Sequence, residues 1–160
     1  MTNTVITLIK TEKEHLELFF QFQLDKEGSY MAAFMPKDTN DKAAYIERYA
    51  GYLLDATKNM CTIKVNGVIA GSIGKFIMNN EAWITYWIDR PFWGQGIATA
   101  ALEDFLKIEI TRPIYAGVAF DNQGSQKVLE KCGFVRIAAD KGFANARQAE
   151  IEEYIYKLAD

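Results

Sequence analysis

Between Arg90 and Lys107 the chain reads RPFWGQGIATAALEDFLK: two glycines one residue apart, behind a proline and two large aromatics, run straight into a helix-forming stretch. A turn that feeds a helix exposes backbone N–H groups without intrahelical partners, and together with the helix dipole these attract an anion such as a phosphate. Glycines at 94 and 96 let that anion approach the main chain. Gly94, Gln95, Gly96, Ile97 and Ala98 therefore read as a pyrophosphate cradle, with a tight strand-to-helix turn that binds nothing as the alternative. Two competing phosphate motifs fail on the letters. A dinucleotide fingerprint needs a third glycine where Thr99 stands, and an acidic residue about 20 positions on, where residues 114–116 are apolar. A P-loop needs Gly-Lys-Ser/Thr after four intervening residues, and no such string occurs.

The cradle needs a strand before it and a strand after it. Ile97, Ala101, Phe105 and Ile108 share one helical face, while Glu103, Asp104 and Lys107 point away from it. Upstream, residues 60–65 and 68–78 are β-rich runs joined by Asn66-Gly67, the dipeptide that a type I′ hairpin favours. Asn79-Asn80 makes a second turn into a strand at 83–88. Downstream, residues 114–120 form a short strand, so strand, helix and strand predict a right-handed crossover between parallel neighbours. A further helix starts at Asp121 or Asn122, presents Val128, Leu129 and Cys132, and stops at Gly133. Residues 134–138 and 149–158 close the chain as strands. At the other end, residues 3–9 read as a first strand, and Thr11 with Glu14 as a capping box ahead of an amphipathic helix through Gln23. Residues 28–41 read as a loop and residues 43–54 as a second helix. The order predicts a mixed sheet, antiparallel first and parallel in the middle, flanked by helices.

Composition narrows the function classes. With 160 residues, a formal charge of -3 and 49% apolar residues, one domain over 1–160 buries about 70% of its unfolded surface. Lysines and arginines scattered over a mildly acidic chain argue against a nucleic-acid partner. No apolar run approaches the ~18 residues of a membrane span and no basic segment leads an apolar one, so a cytoplasmic protein without membrane partners is expected. Cys61 and Cys132 lie far apart without a CxxC spacing and read as small buried hydrophobes, so neither a disulfide framework nor a metal site is expected.

Residues 93–98, WGQGIA, match the phosphate loop [QR]-x-x-G-x-[GA] of the GNAT superfamily of acyl-CoA-dependent N-acyltransferases at Gly96 and Ala98, with Trp93 in place of the first polar residue. The surrounding ITYWIDRPFWGQGIATAAL resembles the RimJ/RimL-type branch. A second block, DNQGSQKVLEKCGF from Asp121, is similar to that branch's N-x-x-S-x-x-V-L-x-K-x-G-F. The resemblance spans roughly residues 83–138. It implies a three-layer α/β (α+β) fold whose central sheet carries a splayed parallel pair, and acetyl-CoA as the cofactor. Main-chain N–H groups of residues 94–99 are then expected to hold the pyrophosphate, with Trp93 flanking them and Thr99 adding its hydroxyl. The pantetheine arm is expected to pair with the backbone of Trp87, Ile88 and Asp89, with Asn122 and Ser125 on its other side.

Acyl transfer to an amine needs a neutral amine, a stabilised oxyanion and a leaving thiolate that gains a proton. Many members of the family place a tyrosine in the second block, where this chain has Leu129, so Ser125 becomes the candidate donor to the sulfur. Trp83 occupies the position of a glutamate found on the central strand in some branches. Glu81, Glu150, Glu152 and Glu153 read first as solvated surface charges, each with a base role as the alternative, and water is the other candidate. His15, the only histidine, precedes both blocks, which leaves triad hydrolysis little support. An α-amine has a pKa of about 7.7–8.0 against about 10.4 for lysine, so deprotonating lysine costs roughly 3 kcal/mol more. The expected acceptor is therefore a primary amine of low basicity, a peptide or protein N-terminus or a small molecule, recognised by Tyr30, Phe34, Met35 and Trp83, with the alternative that the first three simply cover the sheet. The chain is expected as a monomer or homodimer. The alternative reading is an acyl-CoA-binding module that senses without turnover.

Overall fold

The computed structural model describes residues 4–160, so Asn3 of the expected first strand lies outside the described residues. Seven strands form one sheet in the order β1-β2-β3-β4-β5-β7-β6. They are β1 Ile6–Lys10, β2 Asn59–Val65, β3 Val68–Met78, β4 Glu81–Ile88, β5 Ile114–Ala119, β6 Val135–Ala144 and β7 Ala149–Leu158. The helices are α1 Leu16–Phe22, α2 Lys26–Ala32, α3 Lys42–Leu53, α4 Ile97–Ile108 and α5 Gln123–Lys131. Strands β1 to β4 pair antiparallel in sequence order, β4 and β5 are parallel, and β7 inserts antiparallel between β5 and β6.

Two hairpin turns set the register of the first half. Asn66 and Gly67 have φ of 50° and 82°, and Asn79 and Asn80 have 53° and 63°, the left-handed pairs that a type I′ turn requires. Each two-residue turn leaves a bonded pair at its base, Val65↔Val68 and Met78↔Glu81, and the alternation of side chains follows from there.

That alternation makes the sheet the middle of three layers. On one face, Ile97, Ala101, Leu102 and Phe105 of α4 and Leu129 of α5 pack on Ile63, Ile73, Ile84, Ile114, Ala116 and Val118. Each full burial of such a side chain is worth about 1.5–3 kcal/mol. On the other face, Leu16, Phe19 and Phe22 of α1 meet Tyr45 and Tyr49 of α3 and Trp87 of β4.

Local expectations gave way where tertiary contacts compete. The segment from Gly28 expected as a loop lies partly in α2, because the Asp25 side chain accepts from Gly28 N at 3.2 Å and caps a helix there. The helical region after β1 is capped by Glu12 and His15 rather than Thr11 and Glu14. Thr11 is buried instead, its hydroxyl 3.0 Å from that of Thr62 on β2. Ile108 shares the apolar face of α4 in sequence but is 58% exposed at the helix end, and Leu102 takes its place in the core. The strand expected at 134–138 continues to Ala144, held to β7 through a bulge between Arg136 and Ala138.

Candidate active site

Strands β4 and β5 pair only at Ala82↔Ile114 and Trp83↔Tyr115. Beyond those pairs β4 follows β3 as far as Ile88, and β5 follows β7 as far as Ala119, so a gap opens between the two parallel strands. Ladder alternation decides which backbone groups face it. Asp89 N–H donates to Ala70 O at 2.8 Å, so the odd residues of β4 bond β3, while Ile84, Tyr86 and Ile88 turn their N–H and C=O toward the gap. The pairing expected for Trp87 and Asp89 is thereby corrected: their backbone groups are directed to β3, and Tyr86 joins Ile88 at the open edge. On the other side, Phe120 N–H donates to Glu152 O, so Gly117 is a β5 residue that faces β4.

Glycine is required where β3 meets the end of β4. A Cβ on Gly71 would lie 2.0 Å from Trp87 O and 3.1 Å from Ile88 Cα. Past this point Asp89 accepts from Arg90 N at 3.0 Å and starts a short 3-10 turn, and the Trp93 indole N–H donates to Ile88 O at 2.7 Å. The tryptophan that replaces a polar residue of the motif thus still acts as an N–H donor, tying the cradle to the edge of the gap.

The cradle itself rests on backbone conformation. Gly94 and Gly96 both have φ of 74°, and Gly96 is the N-cap of α4, with no side chain capping it. Among the described residues, and apart from each glycine's own chain neighbours, no atom lies within 4 Å of where a Cβ on either glycine would sit. Ile97 is buried beneath the turn while Gly94, Gln95 and Gly96 are exposed. The amides of residues 96–99 therefore form an uncapped helix start facing solvent at the wide end of the gap, which fits an anionic group.

At the start of α5, Asn122 Oδ1 accepts from Ser125 N at 3.2 Å and its Nδ2 donates to Met31 O at 3.3 Å. Asn122 thus holds α5 to α2, with one N–H and one lone pair left over. The Ser125 hydroxyl lies 2.5 Å from the Tyr86 hydroxyl, so the pair bridges α5 and β4. Burial pushes the Tyr86 phenol up to about 12, against the lowering effect of the Ser125 hydrogen bond, and it stays protonated at neutral pH. Leu129 is fully buried in the core. Tyr86 was missed in the sequence; its signal was the alternation that puts it on the face of Ile84 and Ile88.

On the opposite face the segment carrying Tyr30, Phe34 and Met35 is gripped by its main chain. Arg147 Nε donates to Tyr30 O at 2.8 Å, Ala146 N–H to Ala33 O at 3.1 Å, and Asn145 Nδ2 to Met35 O at 2.7 Å. The Arg147 guanidinium lies 4.1 Å over the Tyr30 ring and makes a two-pronged pair with Asp121 at 2.7 and 2.8 Å. Phe34 packs against Ala33, Ala119 and Ala144, covering the sheet. Trp83 stands with Tyr115 at the root of the gap, ring centroids 5.3 Å apart. His15 is structural: its Nδ1 accepts from Glu12 N and meets the Thr62 hydroxyl at 2.9 Å. Cys61 is buried, and Cys132 is half-buried with Sγ 3.7 Å from Thr99 O. Among the described residues no cluster of His, Cys, Asp and Glu is arranged to hold a metal, and no helix is long and apolar enough to cross a membrane.

Replacing Arg147 with methionine should lower stability by about 1–2 kcal/mol, a charge-assisted hydrogen-bond loss discounted because Asp121 is partly in water. The Arg147 hydrogen bonds hold the Asp121 carboxyl below the usual carboxylate range. That contribution is present above the ordinary carboxylate pKa and disappears as pH falls through the lowered one. Thermal melts of the two proteins should therefore differ most at neutral pH, and the difference should narrow in acid to what the Tyr30 contacts of Arg147 contribute.

The family model that matches is the acetyltransferase (GNAT) domain, over residues 6–135. No curated protein sequence matches the chain. Among solved structures, the RimL ribosomal L7/L12 alpha-N-protein acetyltransferase in complex with coenzyme A is similar at a TM-score of 0.82 and 20% identity, covering 96% of this chain and 93% of that one. The microcin C7 self-immunity acetyltransferase MccE in complex with acetyl-CoA and AMP gives 0.80 and 20%, over 97% and 92%. Mycobacterium smegmatis RimJ in complex with CoA-disulfide gives 0.77 and 19%, over 96% and 81%. The open parallel pair and the phosphate-type turn both lie within the stretch that the family model matches, and the chain belongs to the GNAT acetyltransferases.

Proposed function

We propose that this chain moves an acetyl group from acetyl-CoA to a primary amine, its preferred acceptor being the α-amino group of a peptide or protein N-terminus, or a small amine of similar basicity. The observation that carries the reading is the Tyr86–Ser125 hydroxyl pair spanning the gap beside the uncapped start of α4. The coenzyme supplies an acetyl thioester when bound. Amides of residues 96–99 hold its pyrophosphate, with Thr99 near enough in the first turn to add its hydroxyl. The open backbone groups of Tyr86 would hold the extended arm as an added strand would be held, next to Ile88, whose carbonyl already accepts from Trp93 and whose N–H stays free, with Asn122 across from them. The Ile88 N–H, turned toward the gap, would be the donor to the reacting carbonyl. The un-ionised Tyr86 phenol keeps the proton that the departing sulfur takes, directly or through Ser125.

Leu129 and Trp83, standing where many relatives carry a tyrosine and some a glutamate, are what favour a sensing module without turnover. Tyr86 supplies from β4 the phenol that position 129 lacks, which favours turnover. RimL acts, by its description, on the α-amine of a ribosomal protein, and another similar structure is a spermidine N-acetyltransferase. Both of these enzymes take amines as acceptors. The reading takes residues 1–160 as one domain, acting in the cytoplasm as a monomer or homodimer.

Calorimetry with acetyl-CoA beside a thiol-release assay tests it. The amine panel is a peptide with a free N-terminus and no lysine, its N-blocked counterpart with a lysine, and a polyamine. Binding with release on the free N-terminus is expected. Equal rates on the blocked peptide overturn the α-amine preference, and binding without release on any amine restores the sensing module.

A further inference from the structure

Glu153 of β7 reaches the gap from the face opposite the hydroxyl pair. Its backbone pairs with Ala119, and its side chain leans diagonally over Gly117, where an added Cβ would meet Glu153 Oε2 at 2.7 Å. Gly117 borders the gap and is exposed; continuing the Trp83↔Tyr115 register sets it level with Thr85, which is also exposed. Tyr86 is the next residue and points through to the other face. Carboxylate and phenol therefore flank the same height of the gap from opposite sides of the sheet.

The surroundings suit a cationic amine. Among the described residues no hydrogen bond or ion pair engages the Glu153 carboxylate. Asp140 of β6 is its cross-strand partner, Glu81 lies beside the Tyr115 hydroxyl, and the Trp83–Tyr115 pair forms an apolar wall. Lys157 of β7 lies 5.9 Å from the Tyr115 ring.

We propose that Glu153 is the base that takes the proton of the acceptor's ammonium, on a floor it shares with Asp140, in line with the Trp83–Tyr115 wall. The proposal rests on the acetyltransferase reading above. The ammonium gives one proton to the Glu153 carboxylate and, as a neutral amine, attacks the thioester carbonyl. The C–N bond forms and the C–S bond breaks; the sulfur takes the Tyr86 proton while the nitrogen loses its second proton to water. Glu153 then returns its proton to water and Tyr86 recovers one, so the sum is thioester plus ammonium to amide, thiol and one proton. Burial and the Asp140 charge push the Glu153 carboxyl above its usual range, which brings it closer to the amine it must deprotonate.

Glu153→Gln should leave acetyl-CoA binding by calorimetry unchanged, reduce kcat/KM for the amine by about 100-fold, and remove the acidic limb of its pH profile. Glu153→Asp should recover part of the rate. Asp140→Asn should shift that acidic limb to lower pH, a change that a purely structural role for Glu153 does not produce. Carbon-13 NMR of the labelled wild-type carboxyl should titrate above the ordinary glutamate range. An unchanged kcat/KM and pH profile in Glu153→Gln, or an ordinary titration, overturns the proposal while leaving acetyl transfer intact. Wild-type protein that fails to bind acetyl-CoA, or releases no thiol with any amine of the panel, overturns both.

Discussion

Replacing Gly96 with valine should weaken acetyl-CoA binding by about 100-fold, because it forces a branched side chain into left-handed backbone and turns the cradle away from the diphosphate. At φ of 74° an ordinary residue pays about 1–2 kcal/mol. The chain relieves that strain by rotating the peptide, which re-aims the amides at the start of α4. Each N–H bond lost to a charged group costs about 1.5–3 kcal/mol, so one or two misdirected donors account for the expected loss. The fold should tolerate the change, since among the described residues nothing beyond the chain neighbours lies within 4 Å of the new Cβ. Calorimetry reads the affinity and thermal melting reads the fold; a variant that binds as tightly as the wild type sinks the cradle.

Tyr86→Phe should cut kcat by about 100-fold while leaving KM and coenzyme affinity close to the wild type, the signature of a group that acts only as charge develops on sulfur. Ser125→Ala should cost less, and the double variant should be no slower than Tyr86→Phe alone, because two hydroxyls 2.5 Å apart work as one relay. With the phenol pushed up to about 12, its ionisation leaves no basic limb in the kcat profile near neutral pH. Stopped-flow or steady-state thiol release over that range decides the matter. A kcat unaffected by loss of the phenol removes Tyr86 from the chemistry.

The two turns, the apolar face of α4 and the left-handed glycines are encoded locally, and each is legible in a window of a few residues. Ser125 is legible from its block, but its partner is not. That Tyr86 meets it depends on how α5 rotates against β4, which no short window contains. The one-residue error at Trp87 and Asp89 is instructive because the information was present: a two-residue turn at Asn79-Asn80 makes Met78↔Glu81 a bonded pair, and counting on by twos points Tyr86 and Ile88 outward. Helix α2 was hidden because its cap is a side chain, Asp25, at the end of what reads as the preceding helix. Glu153 looked like one acidic residue among several. Only Gly117 and Asp140, contributed by two other strands, distinguish it.

Because just two residue pairs join β4 to β5, the sheet amounts to a pair of panels hinged at Ala82 and Trp83. An extended guest laid along the opening supplies the missing rungs, so loading and rigidity become a single equilibrium. At a ligand concentration of 100 times Kd the guest adds about 2.7 kcal/mol to unfolding. That gain should appear as slowed amide exchange on both panels at once, including positions such as Ile84 and Val118 that lie outside the phosphate loop.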